Sequence, residues 1–340
     1  MLKGALIGFG KIAATTHIKV FDETVIKNRG TIVSIVEPHE MNRRKCNEEY
    51  PGIKFYKSSK ELFENETLDF IVITAPPKYH AELIEEGIEQ NVHILCEKPF
   101  AVSADEANLL KDKIENSGLV FMPCHQYKYS SLWKTFKNTI DNLRSGTKVL
   151  LHFNVLRKEA DPGLSIFNNP WRTDLQQTSG GILADTGVHY FYLAAWMLGE
   201  PINVTAKLAS LYHKNYSVED TSVIILKFEN GIAELTLTWA AHNRRNEARL
   251  YCKDLHLIYN GGTDLIKQEN GNEEKTKVED ISNKKYFKAS YSNLYSDFFD
   301  AINTNKNTRL NLNEAVTSIR LLNKCYQSAE LNRTIRFSDE

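Results

Sequence analysis

Three side chains in this sequence are of the types that move a proton and steady charge on an oxygen. They are Lys98 in "CEKPF" (96–100) and Asp185 and His189 in "DTGVH" (185–189). A histidine, with an ordinary pKa of about 6.5, can take up a hydroxyl proton at neutral pH. An ammonium stabilises the resulting alkoxide, or polarises a carbonyl in the reverse direction. An aspartate beside them can orient the imidazole or keep the lysine charged, and such a mixed cluster titrates as a unit. Asp185 and His189 stand four apart, so they share one side if that segment is helical. Taken alone, Glu97-Lys98 before a proline also fits a solvated turn, and its role depends on where the chain places it.

The placement follows from the first 125 or so residues. "ALIG" (5–8), "TIVSIVE" (31–37), "LDFIVITA" (68–75), "VHILCE" (92–97) and "LVFMPC" (119–124) are short, nearly continuous apolar runs. They read as parallel strands buried on both faces. Between them lie helical patterns. "HAELIEEGIEQN" sets Ala81, Ile84 and Ile88 on one face, and "SADEANLLKDKIENSG" opens on Ser103 with Glu106 three residues on and stops at Gly118. Alternation of this kind predicts a doubly wound α/β domain, whose ligands bind at the carboxyl edge of the sheet. Pro76-Pro77 and "CEKPF" both leave strands at that edge, with His80 close behind the prolines.

The same edge carries "GFGKIA", a Gly8-x-Gly10-x-x-Ala13 turn between a strand and a helix. Gly8 permits the tight turn, and Gly10 lets a pyrophosphate approach the backbone N–H groups of Phe9, Gly10, Lys11 and Ile12. Ala13 allows the helix to pack on the sheet. Glu37 ends the second strand, where a carboxylate can accept from adenosine ribose hydroxyls and would repel a 2′-phosphate. The expected cofactor is therefore NAD rather than NADP, with Arg43 and Arg44 downstream as a softening influence. Pro76 and His80 are counted with the cofactor-binding residues.

After about residue 145 the pattern changes. "TKVLLHFNVLRK", "INVTAKLASLYH", "TSVIILKFENGIAELTLTWAA" and "LHLIYNGG" predict a mostly antiparallel sheet, with a hairpin at Asn230-Gly231. One helix is expected near 187–199 and another at about 312–331, the latter able to pack back toward the N-terminal domain. "KQENGNEEKTKVED" (267–280) reads as a charged surface hairpin or loop. The expected division is 1–125 and 126–340.

Composition narrows the function classes. The chain has 340 residues, 42% hydrophobic and 25% charged, with a formal net charge of −1. Mixed charge of this kind speaks against a nucleic-acid or anionic-membrane partner. Five widely spaced cysteines form no CxxC pair, and no HExxH or His/Cys cluster has ligand spacing, so neither a disulfide framework nor a metal is expected. The N-terminus lacks a signal-peptide pattern, and no apolar run reaches the roughly 20 residues of a membrane helix. A cytoplasmic setting is expected.

Together, "GFGKIA", "APPKYHAELIEEGIEQNVHILCEKP" and "SGGILADTGVHYFYLAAW" resemble the glucose–fructose oxidoreductase / inositol dehydrogenase (Gfo/Idh/MocA) family, in order and spacing over nearly the whole chain. The resemblance implies an N-terminal Rossmann domain and a C-terminal α/β domain on a large, open, mainly antiparallel sheet. It implies NAD(P)-dependent hydride transfer at a carbinol carbon of a small-molecule sugar or polyol, and homodimers or homotetramers formed through that sheet. By position, Lys98, Asp185 and His189 would be catalytic and Glu97 would contact the nicotinamide ribose. Trp171-Arg172 matches a Trp-Arg pair near the cofactor. Gln126 and Lys128 stand where the family has an Asn-x-Arg pattern. Tyr192 replaces an aspartate found in many members, and Lys128 replaces the usual arginine. Both departures bear on substrate contacts, which would come from Lys98, Lys128, Asp185, His189 and Tyr192. The leading expectation is an NAD-dependent sugar dehydrogenase or ketoreductase, nucleotide-linked sugars included. An inositol-type 2-dehydrogenase is the alternative, followed by an NAD-retaining glycosidase or a non-catalytic cofactor-binding regulator.

Overall fold

A computed structural model describes residues 1–161, 171–175, 178–283, 286–304 and 308–338. These form two compact units. One holds Met1–Gln126 with Lys288–Val316, and the other holds the remaining described residues.

The first unit is built on a six-stranded, wholly parallel sheet. Its strands are β1 (Leu2–Ile7), β2 (Gly30–Val36), β3 (Lys54–Tyr56), β4 (Phe70–Ile73), β5 (His93–Cys96) and β6 (Phe121–Pro123), in the order β3-β2-β1-β4-β5-β6. This is the Rossmann order, with its switch point between β1 and β4. All four residues of β4 are fully buried, as doubly covered parallel strands require. The helix Ala104–Ser117 starts on Ser103, whose hydroxyl accepts from Glu106 N, while the Glu106 carboxylate accepts from Val102 N; Gly118 stops the helix at φ 71°. In the helix His80–Glu89 the buried residues are His80, Leu83, Ile84 and Gly87. The predicted 81/84/88 stripe is thus turned by one position, because His80 and Gly87 lie under the helix.

The second unit carries a nine-stranded sheet: β7 (Val149–Leu156), β8 (Pro201–Ala209), β9 (Thr221–Phe228), β10 (Gly231–Thr238), β11 (Arg245–Tyr251), β12 (Leu255–Tyr259), β13 (Asp264–Glu269), β14 (Asn272–Lys277) and β15 (Ile335–Arg336). The order is β14-β13-β12-β11-β7-β10-β9-β8-β15, antiparallel throughout except for the parallel pair β7–β10. Strict alternation along β9 buries Ser222, Ile224, Leu226 and Phe228 and exposes Val223, Ile225 and Lys227. The inner face packs on the helix Val188–Leu198, which is apolar all round. The charged "KQENGNEEKTK" segment is the β13–β14 hairpin, turning at Asn270 and Gly271, both at positive φ. The helices Ser131–Asp141 and Phe287–Thr304 and the strands β3, β11 and β15 are among the additions to the sequence reading.

Candidate active site

The candidate residues fall in two groups, one in each unit, and each group is built by its own elements.

In the first unit the carboxyl ends of five strands stand in line. Gly8 N bonds to Val36 O (2.9 Å), Thr74 N to Ile7 O (2.9 Å), Glu97 N to Ile73 O (2.9 Å) and Cys124 N to Cys96 O (2.8 Å). This ladder sets the glycine turn, the Pro76-Pro77 loop and Glu97-Lys98 on one edge. Gly8 has φ +93°, and a Cβ there would lie 2.7 Å from Ala75 N, so the turn demands glycine. A Cβ on Gly10 would meet nothing within 4 Å, so the backbone is open there. Ala13 is fully buried where the helix meets the sheet. Phe9 turns inward, edge-on to Tyr50, while Lys11 and Ile12 are half-exposed.

Glu37 closes the turn from the neighbouring strand. Its carboxylate accepts from Phe9 N (3.3 Å), His39 N (2.9 Å) and Asn42 Nδ2 (3.3 Å). The two arginines behind it are occupied: Arg43 donates to the carbonyls of Glu37 and Pro38, and Arg44 pairs with Glu40. Gln126 has a buried Oε1 with no hydrogen-bond partner among the described residues. An open backbone turn, a carboxylate fixed beside it and an unsatisfied buried acceptor suit a dinucleotide.

Glu97 is 7% exposed and held from both sides: Oε1 accepts from Tyr291 Oη (2.7 Å) and from His17 Nε2 (3.0 Å), and Oε2 from Lys98 N (3.2 Å). His17 Nδ1 lies 2.8 Å from Tyr295 Oη. Burial pushes the Glu97 carboxyl up, but the His17 contact, the Lys98 charge and the Tyr291 hydroxyl outweigh it and hold it below its ordinary value. His17 reaches Glu97 from a π-helical turn, Ala13–His17, wound into the helix after the glycine turn. Cys124 joins this group, its Sγ within 4.8 Å of the donor atoms of His17 and Glu97. These are metal-ligand types, but burial and the Glu97 charge push the Cys124 thiol up, which disfavours the thiolate a metal would bind.

His80 is fully buried. Its Nδ1 lies 2.8 Å from Pro99 O and its Nε2 2.8 Å from Ala75 O, so the ring ties the Pro76 loop to the loop after Lys98. Burial favours the neutral ring, which donates through one nitrogen only, so His80 packs between the two loops and donates to one of these carbonyls. Pro76 is exposed and Lys98 half-buried, joined to Pro99 by a cis peptide bond.

In the second unit a second π-helical turn, Leu183–Gly187, leads into the helix Val188–Leu198 and carries Asp185. Gly187 lets this turn lie close to β10: a Cβ there would come within 2.8 Å of Leu183 Cδ1 and 3.1 Å of Leu237 Cδ1. Asp185 accepts from Arg172 Nε (3.2 Å) and from Thr186 Oγ1 (3.1 Å). His189 is 7% exposed, stacked on Tyr127 with centroids 4.5 Å apart, and its Nδ1 lies 3.1 Å from Tyr192 Oη. Lys128 sits in the short 3-10 turn Gln126–Tyr129 with its ammonium 5.3 Å over the Trp196 ring. Of the Trp171-Arg172 pair, Arg172 meets Asp185, while the Trp171 side chain lies outside the described residues.

Sequence reasoning missed His17, Tyr291 and Tyr295, which fix Glu97, and Glu219 and Tyr326, which touch Gly180-Gly181. His17 had one usable signal, its place in the first helix directly after the glycine turn.

Two family models match the chain. Residues 2–125 match an oxidoreductase family with an NAD-binding Rossmann fold, and residues 133–257 match the GFO/IDH/MocA C-terminal domain. The chain belongs to the Gfo/Idh/MocA oxidoreductase family. It is 26% identical over 281 residues to the uncharacterized oxidoreductase YrbE of Bacillus subtilis, covering 79% of this chain and 78% of that one. It is 23% identical over 232 residues to myo-inositol 2-dehydrogenase of Thermotoga maritima, covering 66% and 65%. Other relatives are named as dehydrogenases of D-glucosides, glucose 6-phosphate and D-apiose. Among solved structures, an oxidoreductase from Agrobacterium radiobacter in complex with NAD+, L-tartaric acid and magnesium shares the fold, with a TM-score of 0.84 at 18% identity over 99% of this chain and 98% of that one. The first unit of this Gfo/Idh/MocA protein is accordingly an NAD-binding Rossmann domain. Among its described residues no helix is long and apolar enough to cross a membrane.

Proposed function

We propose that this protein oxidises a carbinol carbon of a sugar, nucleotide-linked sugars included, or reduces the corresponding ketone, with NAD as the hydride partner. The observation that carries the reading is the single sheet edge on which Gly8–Gly10, Glu37 and Glu97-Lys98 are aligned. The turn Gly8–Ile12 would take the pyrophosphate, Glu37 the adenosine ribose, and Glu97 and Gln126 the nicotinamide half. NAD is favoured because Glu37 stands fixed at the turn and the nearby Arg43 and Arg44 are occupied. When bound, NAD supplies the site that accepts or donates hydride. Lys98 steadies charge on the reacting oxygen. His189 exchanges the hydroxyl proton at Nε2, because Nδ1 faces Tyr192. Asp185, held by Arg172 and Thr186, lies one helical turn before His189 and orients the reacting group.

The outer face of the nine-stranded sheet supports a homodimer or homotetramer. Leu150, paired across strands with Ile232, and Val223, Ile225 and Ile202 are all between 38% and 47% exposed. A cluster of such residues on one open sheet marks an interaction surface. The five cysteines are all free, which suits the cytoplasm as the proposed setting.

The test is a panel of sugars, polyols and nucleotide sugars, monitored for NADH absorbance with purified protein and with Lys98→Ala. Turnover on a sugar that falls about 100-fold or more in the variant, with NAD still bound, supports the reading. Lys98→Ala turnover within a few-fold of wild type refutes the role given to Lys98.

A further inference from the structure

We propose that Glu219, together with Tyr326, is the positioning residue that sets Asp185 and His189; this rests on the catalytic reading above. The helical stretch that bears both residues has no side-chain cap of its own at Ile182. Its opening N–H groups are instead satisfied from a segment almost forty positions away. Gly181 N donates to both carboxylate oxygens of Glu219 (3.0 Å each), Leu183 N donates to Oε1 (3.1 Å), and Ile182 N donates to the Glu219 carbonyl (3.2 Å). One residue thus receives three consecutive amides, which an unaided helix start leaves unpaired. Tyr326, on the helix Arg309–Leu331, donates its hydroxyl to the same Oε1 (2.9 Å) and fixes the carboxylate from behind.

The link to Asp185 is short. Asp185 N donates to Gly181 O (2.9 Å), so a single peptide unit separates the hydrogen bond on Glu219 from the one on Asp185. The two glycines record how closely the clamp approaches. A Cβ on Gly180 would lie 1.7 Å from Tyr326 Oη, and one on Gly181 would lie 1.9 Å from Glu219 O. The Gly180-Gly181 pair is therefore required by Glu219 and Tyr326. Burial pushes the Glu219 carboxyl up, and the donors from Gly181, Leu183 and Tyr326 oppose that shift. A carboxylate at this end also lies at the positive end of the helix dipole.

The test compares Glu219→Gln, Tyr326→Phe, Asp185→Asn and His189→Asn with wild type. Turnover is measured with NAD and whichever sugar of the panel gives the greatest NADH signal. NAD affinity is measured by protein fluorescence, and amide exchange over residues 178–190 by mass spectrometry. In Glu219→Gln the amides of Gly181–Leu183 should exchange at least about tenfold faster and kcat should fall about ten- to a hundredfold, with NAD affinity within about twofold of wild type. Tyr326→Phe should show the same pattern, smaller. Unchanged kcat in Glu219→Gln while Asp185→Asn and His189→Asn are inactive overturns the positioning role and leaves the catalytic reading standing. Parallel loss of kcat and NAD affinity, the mark of general loosening, also overturns it. Wild-type turnover in both Asp185→Asn and His189→Asn overturns the catalytic reading and the inference with it. Should Glu219→Gln not fold, Tyr326→Phe decides, and unchanged kcat there overturns the proposal.

Discussion

Tyr192 Oη lies 3.1 Å from Nδ1 of His189 and 3.3 Å from the backbone nitrogen of Tyr127. A phenol oxygen can accept two hydrogen bonds, so it can take both N–H groups and select the neutral His189 tautomer whose lone pair is on Nε2. In Tyr192→Phe that tautomer is no longer selected, and kcat should fall about tenfold or more. In Tyr192→Asp a carboxylate beside the imidazole favours its charged form, so the acid limb of the pH–rate profile should move to higher pH. An unshifted limb in Tyr192→Asp would separate His189 from the observed titration.

The His17–Glu97 contact gives a prediction about stability. Glu97 is held below its ordinary pKa in the folded protein. Its contribution is therefore full above the unfolded value of about 4.3 and is lost as pH falls through the lower, folded value. His17→Leu leaves a buried carboxylate short of a donor and should cost about 1–3 kcal/mol at neutral pH. Acid unfolding, followed by circular dichroism, should then begin at higher pH than in wild type.

Glu37→Ser removes the carboxylate that would oppose a 2′-phosphate. The ratio of kcat/KM for NADP to that for NAD should rise at least about tenfold, which corresponds to about 1.4 kcal/mol. If wild type already uses both cofactors equally, Glu37 does not set the preference.

Ile225→Lys combined with Ile232→Lys places two ammonium groups on the outer face of the nine-stranded sheet, where both positions are exposed. Light scattering after gel filtration should show the assembly shifting toward a monomer, with unchanged far-ultraviolet circular dichroism. An unaltered mass would move the interface elsewhere.

Five of the six strands of the first unit were legible because burial on both faces leaves runs such as Phe70–Ile73 with no polar residue, whereas β3 (Lys54–Tyr56), buried on neither face, was not. The strand β11 was not, because Arg245, Glu247 and Arg249 point outward and mask the alternation of Asn246, Ala248 and Leu250. The helix Phe287–Thr304 was missed although its buried aromatics include Tyr291, Tyr295 and Phe298. These belong to a unit whose sheet ended some 160 positions earlier, and no local pattern announces that return. Within the candidate site, Lys98, Asp185 and His189 could be singled out by their place in the motifs that carry the family resemblance. The groups that hold them could not, since Glu219, Tyr326 and His17 act across distances in sequence that carry no period. His80 shows the converse: its place in the chain suggested a ligand contact, and only the structure places both ring nitrogens beside carbonyls.

The π-helical turns have an effect on tolerance to length change. A π-helical turn takes in one residue more than an α-helical turn, so the helix beyond it keeps the phase it would have without that residue. Removing a single residue from Leu183–Gly187 would let the segment rewind as regular helix with His189 kept in phase, and would re-aim Asp185, which lies inside the turn. The same deletion in Ala13–His17 would disturb the turn that ends in His17, and with it the contact to Glu97. At both places one-residue deletions should be more damaging than most substitutions, even where the lost residue is a small, replaceable alanine.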